Sequence, residues 1–279
     1  MFSGERIPTT LYHCEHCGFA FYDLRFSNDQ IAKLYEGYRG EAYQKIRQQS
    51  DVWYTKEINR LLDVDNSATE ARKDTLINLI ERHCDTTEPF TMLDFGGDRG
   101  QSFPYIKGAR NFVYDISNKP LVEGAIGLKS IDEAKNIDFS LIMCNHVLEH
   151  VNEPIATAKS IVDIMGDKTL LYIELPMDSP FYASKFDNLK FLTNKYFTWG
   201  NILKHFVITK FDNCFAPMSE HINYFTLKSM SKLVDSLGLK VIESGEKTIN
   251  CGWNNTKAIY CLCAKPQRSN EGADLEPCC

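Results

Sequence analysis

A short apolar run that ends in an acid and passes into a glycine turn constrains the fold most: Thr91-Met92-Leu93-Asp94-Phe95-Gly96-Gly97-Asp98-Arg99-Gly100. The next apolar run ends at Tyr114-Asp115-Ile116. A strand, a tight glycine turn and a second strand that ends in a carboxylate form the nucleoside site of a Rossmann-like sheet. Glycine lets the backbone approach a ligand closely, and Asp115 can accept hydrogen bonds from two ribose hydroxyls. The stretch therefore predicts binding of an adenosine-containing cofactor.

From Asp94 the turn reads Asp-Phe-Gly-Gly-Asp-Arg-Gly, which resembles the D-x-G-x-G-x-G signature of class I S-adenosylmethionine-dependent methyltransferases. Asp98 stands where that signature has its middle glycine. The resemblance implies S-adenosyl-L-methionine as cofactor and S-adenosyl-L-homocysteine as product, with Asp94 near the methionine ammonium. The candidate cofactor residues in this part of the chain are Asp94, Gly96, Gly97, Gly100, Asp115 and Ile116. Asp98 would either add a second anion beside the ammonium or crowd the methionine carboxylate.

A second segment strengthens this interpretation. Residues 138–151 read as a buried strand that runs into the polar loop Asn145-His146-Val147-Leu148-Glu149-His150, followed by Asn152-Glu153-Pro154. This segment resembles the "fDlI…vlEHv.dP" element of the same methyltransferases. The resemblance implies that Asn145 and His146 border the cofactor and that His150 is a catalytic candidate, although a histidine bonded to backbone at a helix start is an equally good interpretation. Asp132 is a candidate for the adenine amine or a simple helix cap.

The third element is Ser219-Glu220-His221-Ile222-Asn223-Tyr224-Phe225-Thr226, which resembles "EHi.yFt" in the same family. In its sugar methyltransferases this pair lies at the acceptor, so the resemblance implies His221 as general base and Glu220 as the group that orients it. A hydroxyl becomes a good nucleophile only when its proton is removed, and histidine titrates near neutral pH. The alternative is a capping pair at the start of the helix that follows Thr226.

Residues 1–65 are expected to form one N-terminal region, which is zinc-ribbon-like at its start and helical over residues 28–62. The Cys14-x-x-Cys17 pair, with the aromatic residues after it, resembles the N-terminal zinc ribbon of a methyltransferase group that includes sugar C-methyltransferases and carbohydrate O-methyltransferases. The upstream cysteine pair of that ribbon is missing here. Because a closed structural zinc site needs about four ligands, we expect a degenerate knuckle and no bound metal.

Hydrophobic periodicity predicts an α/β fold over residues 66–266. The resemblance implies that its strands form a Rossmann-like, seven-stranded methyltransferase sheet closed by an antiparallel hairpin. Residues 177–219 form an aromatic-rich insertion with interleaved lysines. The insertion is expected to be a lid over the cofactor, a helical cap with its own core, or both. Residues 267–279 are predicted to be a disordered tail.

Composition excludes several classes. The formal charge of −6 argues against nucleic acid as a partner, and no apolar run approaches the roughly 18 residues that span a membrane. Ten scattered cysteines, several inside predicted strands, favour reduced thiols and a cytoplasmic location. The sequence leaves the oligomeric state open.

Two classes of function remain. The first is an enzyme that methylates a small polar acceptor, a carbohydrate or sugar nucleotide, by direct displacement from S-adenosylmethionine; a lipid-linked glycan or a protein is an alternative acceptor. The second is a non-catalytic binding or regulatory protein on a decayed methyltransferase core. Asp98 in the glycine loop and the missing upstream cysteine pair are the features that favour this alternative.

Overall fold

The computed structural model describes residues 8–35, 38, 40–50, 54–57, 59–60, 67–117, 119–177, 220–250 and 255–267. Apart from Met177, the predicted lid insertion lies outside these residues, as does nearly all of the predicted tail. None of the helices in these ranges is long and apolar enough to cross a membrane.

The core is a seven-stranded sheet. Its strands are β3 (Thr91–Phe95), β4 (Arg110–Tyr114), β5 (Ala125–Leu128), β6 (Leu141–Asn145), β7 (Leu170–Pro176), β9 (Lys240–Asn250) and β10 (Asn255–Ala264). They lie in the order β5-β4-β3-β6-β7-β10-β9. The first five are parallel, and β10 runs antiparallel to both β7 and β9. The predicted Rossmann-like sheet with a closing antiparallel hairpin is confirmed.

Helices cover both faces of this sheet. On one face lies α3 (Ser67–His83), which buries Leu76, Leu79 and Ile80 against the sheet. The other face is covered by α5 (Pro154–Asp163) and α6 (Leu227–Ser236); the short α4 (Ile131–Ala134) follows β5. Two-sided cover explains why the central strands β3 and β6 read as continuous apolar runs.

The N-terminal region contains β1 (Leu11–His13), β2 (Ala20–Tyr22), α1 (Asn28–Tyr35) and α2 (Glu41–Ser50). Strand β2 pairs with both β1 and β8 (Asn223–Tyr224), so a second sheet has the order β1-β2-β8. Because β8 directly follows the Glu220-His221 pair, this sheet fixes the N-terminal region beside that pair.

The cysteine knuckle, residues 14–17, forms the turn between β1 and β2. The amide of Cys14 donates to the carbonyl of Phe19 at 2.8 Å, the amide of Gly18 donates to the carbonyl of Cys14 at 2.7 Å, and Gly18 has φ +76°. Both thiols are free, and in the described part of the chain no third metal-ligating side chain clusters with them.

The buried side chain of Asn223 joins three segments. Its amide nitrogen donates to the carbonyls of Leu148 (3.0 Å) and Val151 (2.7 Å), and its oxygen accepts from Arg25 Nη2 (3.1 Å). The residue is 0% exposed. One amide therefore holds the loop after β6, strand β8 and the N-terminal region together.

We predict that Asn223→Ala lowers the free energy of unfolding by about 2–4 kcal/mol, because two buried carbonyls and one guanidinium lose their partner. Urea denaturation measures this. Asn78→Ala, which removes a single bond to the Asp74 carbonyl on an exposed helix face, is the control and should change stability by less than about 0.5 kcal/mol. Equal effects of the two substitutions would contradict the role of Asn223.

Candidate functional site

The candidate site is a cavity of about 240 Å³ outside the carboxyl ends of β3, β4 and β6. In an open α/β sheet, ligands bind in this crevice, where the strand order reverses. The lining residues come from the glycine loop, the ends of β4 and β6, α1 and α3: Ile31, Tyr35, Tyr38, Arg72, Asp94, Gly96, Gly97, Asp98, Gln101, Ser102, Asp115, Ile116, Ser117, Asn145, His146, Val147, His150 and Val151.

The glycine loop is packed too tightly for side chains. A Cβ on Gly97 would lie 2.4 Å from Cγ of Asp94, and one on Gly96 would lie 2.5 Å from Cγ2 of Val147. Gly96 and Gly100 also have φ of +71° and +79°, a region in which other residues are strained. Gly100 supports the turn from outside the cavity, since a Cβ there would meet Val113 at 2.7 Å.

Asp98, at the position of the signature's middle glycine, has its backbone in the left-handed region, with φ +51°. Aspartate is among the few residues that tolerate this conformation. Its carboxylate lies 3.1 Å from Nζ of Lys119, and Lys119 lies over the ring of Tyr38, 4.9 Å from the centroid. The loop therefore accommodates an aspartate at this position, and Lys119 compensates the negative charge of Asp98.

Asp115 is fixed at the end of β4 by two backbone amides. The amide of Asp98 donates to Oδ2 at 2.8 Å and that of Ser117 donates to Oδ1 at 2.7 Å. Each carboxylate oxygen can accept more than one hydrogen bond, so the side chain is held in place with acceptor capacity to spare.

Asp94 and Asn145 present polar atoms that have no partner. Both carboxylate oxygens of Asp94 and both amide atoms of Asn145 are buried without a hydrogen-bond partner among the described residues. Burial raises the pKa of Asp94 to about 7, the Asp115 carboxylate adds to the rise, and the Arg72 guanidinium opposes it. A cationic ligand group here would restore the charged form of Asp94 and satisfy its oxygens.

Arg72 reaches the cavity from α3 and is held by Glu174 of β7. Its Nε donates to Oε1 of Glu174 at 2.8 Å, and its Nη2 lies 3.0 Å from Nε2 of His146. Tyr172 and Lys247 reach the other oxygen of Glu174, at 2.8 and 2.5 Å. Burial alone would raise the pKa of Glu174, but His146 and Arg72 outweigh it and hold that pKa well below its usual range.

His146 lies between two carboxylates. Its backbone is in the left-handed region, with φ +54°, and its ring nitrogens lie 3.1 Å from Glu174 and 3.3 Å from Glu149. Burial and Arg72 lower the pKa of His146, but the two carboxylates outweigh them and the net shift is upward.

Glu149, His150 and His221 form a compact cluster beside the cavity. One potential ligand atom from each lies within 4.8 Å of the others. His150 contacts the Glu220 carbonyl through Nδ1 at 3.1 Å, and its ring meets that of His221 edge to face at 4.7 Å. Burial would raise the pKa of Glu149, but the histidines, His150 most, lower it to about 2. Burial lowers the pKa of His150 to about 4.

Glu220 is paired with Arg47 of α2 in the interior, where both side chains are 1% exposed. The guanidinium stacks over the ring of Tyr54 at 4.4 Å, and its Nη1 donates to the hydroxyl of Tyr43 at 2.8 Å. The N-terminal region thus supplies the cation that compensates one member of the predicted catalytic pair.

The structure brings most of the predicted residues together, but not all. Asp94, Gly96, Gly97, Asp115, Ile116, Asn145, His146 and His150 line the cavity. Glu220 and His221 are buried behind His150 and do not line it. Asp132 is exposed on α4, where it pairs with Lys135 at 2.6 Å, away from the cavity.

Sequence reasoning missed Arg72, Glu174 and the aromatic residues of α1. The one available signal was Glu174, a carboxylate inside the apolar run Leu170–Pro176, because a charge in a buried strand needs a partner. Nothing in the sequence shows which cation that partner is.

The comparisons with known proteins agree with this geometry. A family model described as "Methyltransferase domain" matches residues 43–244. No curated protein matches the sequence at a significant level.

Solved structures that match this chain include two methyltransferases. One is 1,6-didemethyltoxoflavin-N1-methyltransferase of Burkholderia thailandensis with bound 1,6-didemethyltoxoflavin and S-adenosylhomocysteine; at 13% identity the match covers 93% of this chain and 99% of that chain, with a TM-score of 0.50. The other is magnesium protoporphyrin IX methyltransferase of Synechocystis PCC 6803 with bound S-adenosylhomocysteine, at 11% identity, 76% and 89% coverage and a TM-score of 0.45. The first of these likenesses supports a shared fold.

The close packing of the glycine loop is testable. Gly97→Ala should lower the free energy of unfolding by about 1–3 kcal/mol, because the new methyl collides with a buried carboxyl group. Gly166→Ala is the matched control: its nearest atoms would lie 3.4 and 3.5 Å away, so stability should change by less than about 0.5 kcal/mol. A Gly97→Ala protein as stable as the wild type in urea would refute the packing described here.

Proposed function

Because this chain belongs to the methyltransferase domain family, we propose that it transfers a methyl group from S-adenosyl-L-methionine to a small polar acceptor. We further propose a sugar or sugar nucleotide as that acceptor, in keeping with the sequence resemblance to sugar methyltransferases. The observation that carries the proposal is the set of groups around one cavity. The glycine loop, the fixed carboxylate of Asp115 and the buried carboxylate of Asp94, whose oxygens lack a hydrogen bond to the described residues, all line it.

In this proposal the cofactor lies along the loop. Asp115 accepts hydrogen bonds from the ribose hydroxyls, and Ile116 packs beside the adenosine. Asp94 receives the methionine ammonium, and the Asn145 amide lies beside it. Arg72 faces the methionine carboxylate, because it is the guanidinium on the cavity wall and its Nη1 has no hydrogen bond to the described residues.

The chemical step is a direct displacement. An acceptor oxygen forms a bond to the methyl carbon, the carbon–sulfur bond breaks, and its electron pair remains on sulfur as S-adenosylhomocysteine. We assign removal of the acceptor proton to His221 acting through His150, which lines the cavity and lies between His221 and the acceptor, with Glu220 beside His221. Free buried thiols at Cys144, Cys261 and Cys263 support the proposed cytoplasmic location.

The test of function is transfer of a labelled methyl group to a panel of sugar nucleotides, lipid-linked glycans and proteins. Transfer to the first class is expected. Transfer to either other class would change the acceptor and keep the enzyme. Tight binding of S-adenosylhomocysteine with no transfer to any member would favour the regulatory alternative.

We predict that His221→Ala retains S-adenosylhomocysteine affinity and loses on the order of 10²-fold or more in turnover, as expected when proton removal is impaired. His83→Ala, a surface histidine paired with Glu243, should change neither. Loss of cofactor affinity with unchanged turnover would reverse the assignment of His221.

The amino-acid end of the cofactor site can be tested without knowing the acceptor. Arg72→Met should weaken S-adenosylhomocysteine binding by about 10- to 100-fold, since a charge-assisted hydrogen bond is lost. It should leave 5′-methylthioadenosine, which lacks the amino-acid group, within about threefold by titration calorimetry. Arg82→Met, at an exposed ion pair, is the control. Equal weakening of both ligands would contradict the assignment of Arg72.

Affinity should also depend on pH. The pKa of Asp94 is raised to about 7, so its carboxylate becomes ionised, and able to pair with an ammonium, as pH rises through 7. From pH 6 to 7.5, S-adenosylhomocysteine affinity should rise by roughly fivefold to tenfold. Asp94→Asn should remove this dependence, and 5′-methylthioadenosine should not show it. A flat profile for the wild type would refute the Asp94–ammonium pair.

A further inference from the structure

We propose that Glu149, His150 and His221 form a binding site for one divalent transition-metal ion at the wall of the cavity. Two imidazoles and one carboxylate on one side of a cation are a common ligand set for first-row metals such as Zn²⁺, Fe²⁺ and Mn²⁺. The site itself is independent of methyl transfer; its use in activating an acceptor rests on the proposed function.

The first support is geometry. Three ligand atoms within 4.8 Å of one another leave a central point no more than about 2.8 Å from each. Zinc–ligand distances are about 2.0–2.2 Å, so each atom needs to move by less than about 1 Å.

The backbone holds these ligands together. The carbonyl of Glu149 accepts hydrogen bonds from the amides of Ile222 (2.9 Å) and Asn223 (3.1 Å). These bonds, with the side chain of Asn223, join the loop after β6 to the segment that carries His221. A site built on two joined segments is organised before any ion enters.

The second support is the state of the ligand atoms. Nδ1 of His150 contacts the Glu220 carbonyl at 3.1 Å, a contact in which the nitrogen must donate, so Nε2 carries the lone pair. That Nε2 lies 3.7 Å from Oε1 of Glu149. Metal-binding histidines usually donate their other nitrogen to a carbonyl or a carboxylate in this way.

The third support is Glu149. Its side chain is 1% exposed, and neither of its oxygens has a hydrogen-bond partner among the described residues. The nearest ring nitrogen, Nδ1 of His146, lies 3.3 Å away. His146 is thus the nearest compensating group, and it is shared with Glu174. A buried carboxylate is costly unless charges compensate it, and a cation bound at Glu149 would add that compensation directly.

The open coordination positions would face the cavity through His150, which lines it. An acceptor hydroxyl bound there would lose its proton to a hydroxide on the cation, which becomes water. The alkoxide oxygen then attacks the methyl carbon, and the carbon–sulfur electron pair goes to sulfur. In this refinement His221 acts as a ligand, and the hydroxide on the cation takes the place of its imidazole as the base.

The test uses the full chain with Cys14→Ser and Cys17→Ser, which removes the knuckle thiols as a rival site. Metal-stripped protein is titrated with Zn²⁺ by calorimetry and with Mn²⁺ by electron paramagnetic resonance. We expect one ion per chain. Glu149→Gln and His221→Asn should each weaken metal binding by more than about 100-fold. Loss of a group that only hydrogen-bonds to a metal ligand already costs about 10- to 100-fold. His83→Asn should leave it unchanged.

Circular dichroism and S-adenosylhomocysteine affinity, measured on the same samples, separate this inference from the proposed function. Intact cofactor binding with no stoichiometric metal in the unsubstituted cluster would overturn the metal site and leave the function standing. Metal binding that survives both substitutions would also overturn it. One ion bound without any cofactor affinity would uphold the site and contradict the function.

Discussion

The site depends on one fully buried carboxylate, Glu174. Its two oxygens are contacted by Arg72 from α3, His146 after β6, Tyr172 of its own strand and Lys247 from β9. Burying an ion costs several kcal/mol, so the acid is tolerated only where such partners converge. That convergence requires the parallel strands, the covering helix and the antiparallel hairpin to be in place together. It also brings a guanidinium and an imidazole to the wall of the cavity.

Around the cavity, some polar side chains have partners within the chain, and others have atoms without a hydrogen bond. Asp115 and Glu174 have their partners within the chain, and Asp98 is compensated by Lys119. The unpartnered atoms belong to Asp94, Asn145 and Glu149. Because buried polar groups in proteins are nearly always hydrogen-bonded, these atoms point to what a ligand would supply. The first two lie on the cavity wall, and Glu149 lies behind it beside His150.

The N-terminal region is built into this site. Strand β2 pairs with β8, Tyr35 of α1 and Tyr38 beyond its end line the cavity, and α2 pairs Arg47 with Glu220. The cysteine knuckle keeps its turn while its thiols are free. The strand pairing of this hairpin and the stacked rings of Phe19 and Phe21 hold it without an ion.

The sequence by itself determined the sheet, the glycine loop and the acid after β4, because strand period and glycine chemistry are local properties. It also marked Asn145, His146 and His150, since they follow a buried strand in a segment that resembles a methyltransferase element, and an open sheet binds its ligands at the carboxyl ends of its strands. Only the tertiary structure decided that Asp132 lies apart, that His221 lies behind His150, and that Arg72 and Arg47 reach the two acids Glu174 and Glu220. Pairings between charges so far apart in the chain depend on how helices pack on the sheet, and no local pattern records that packing.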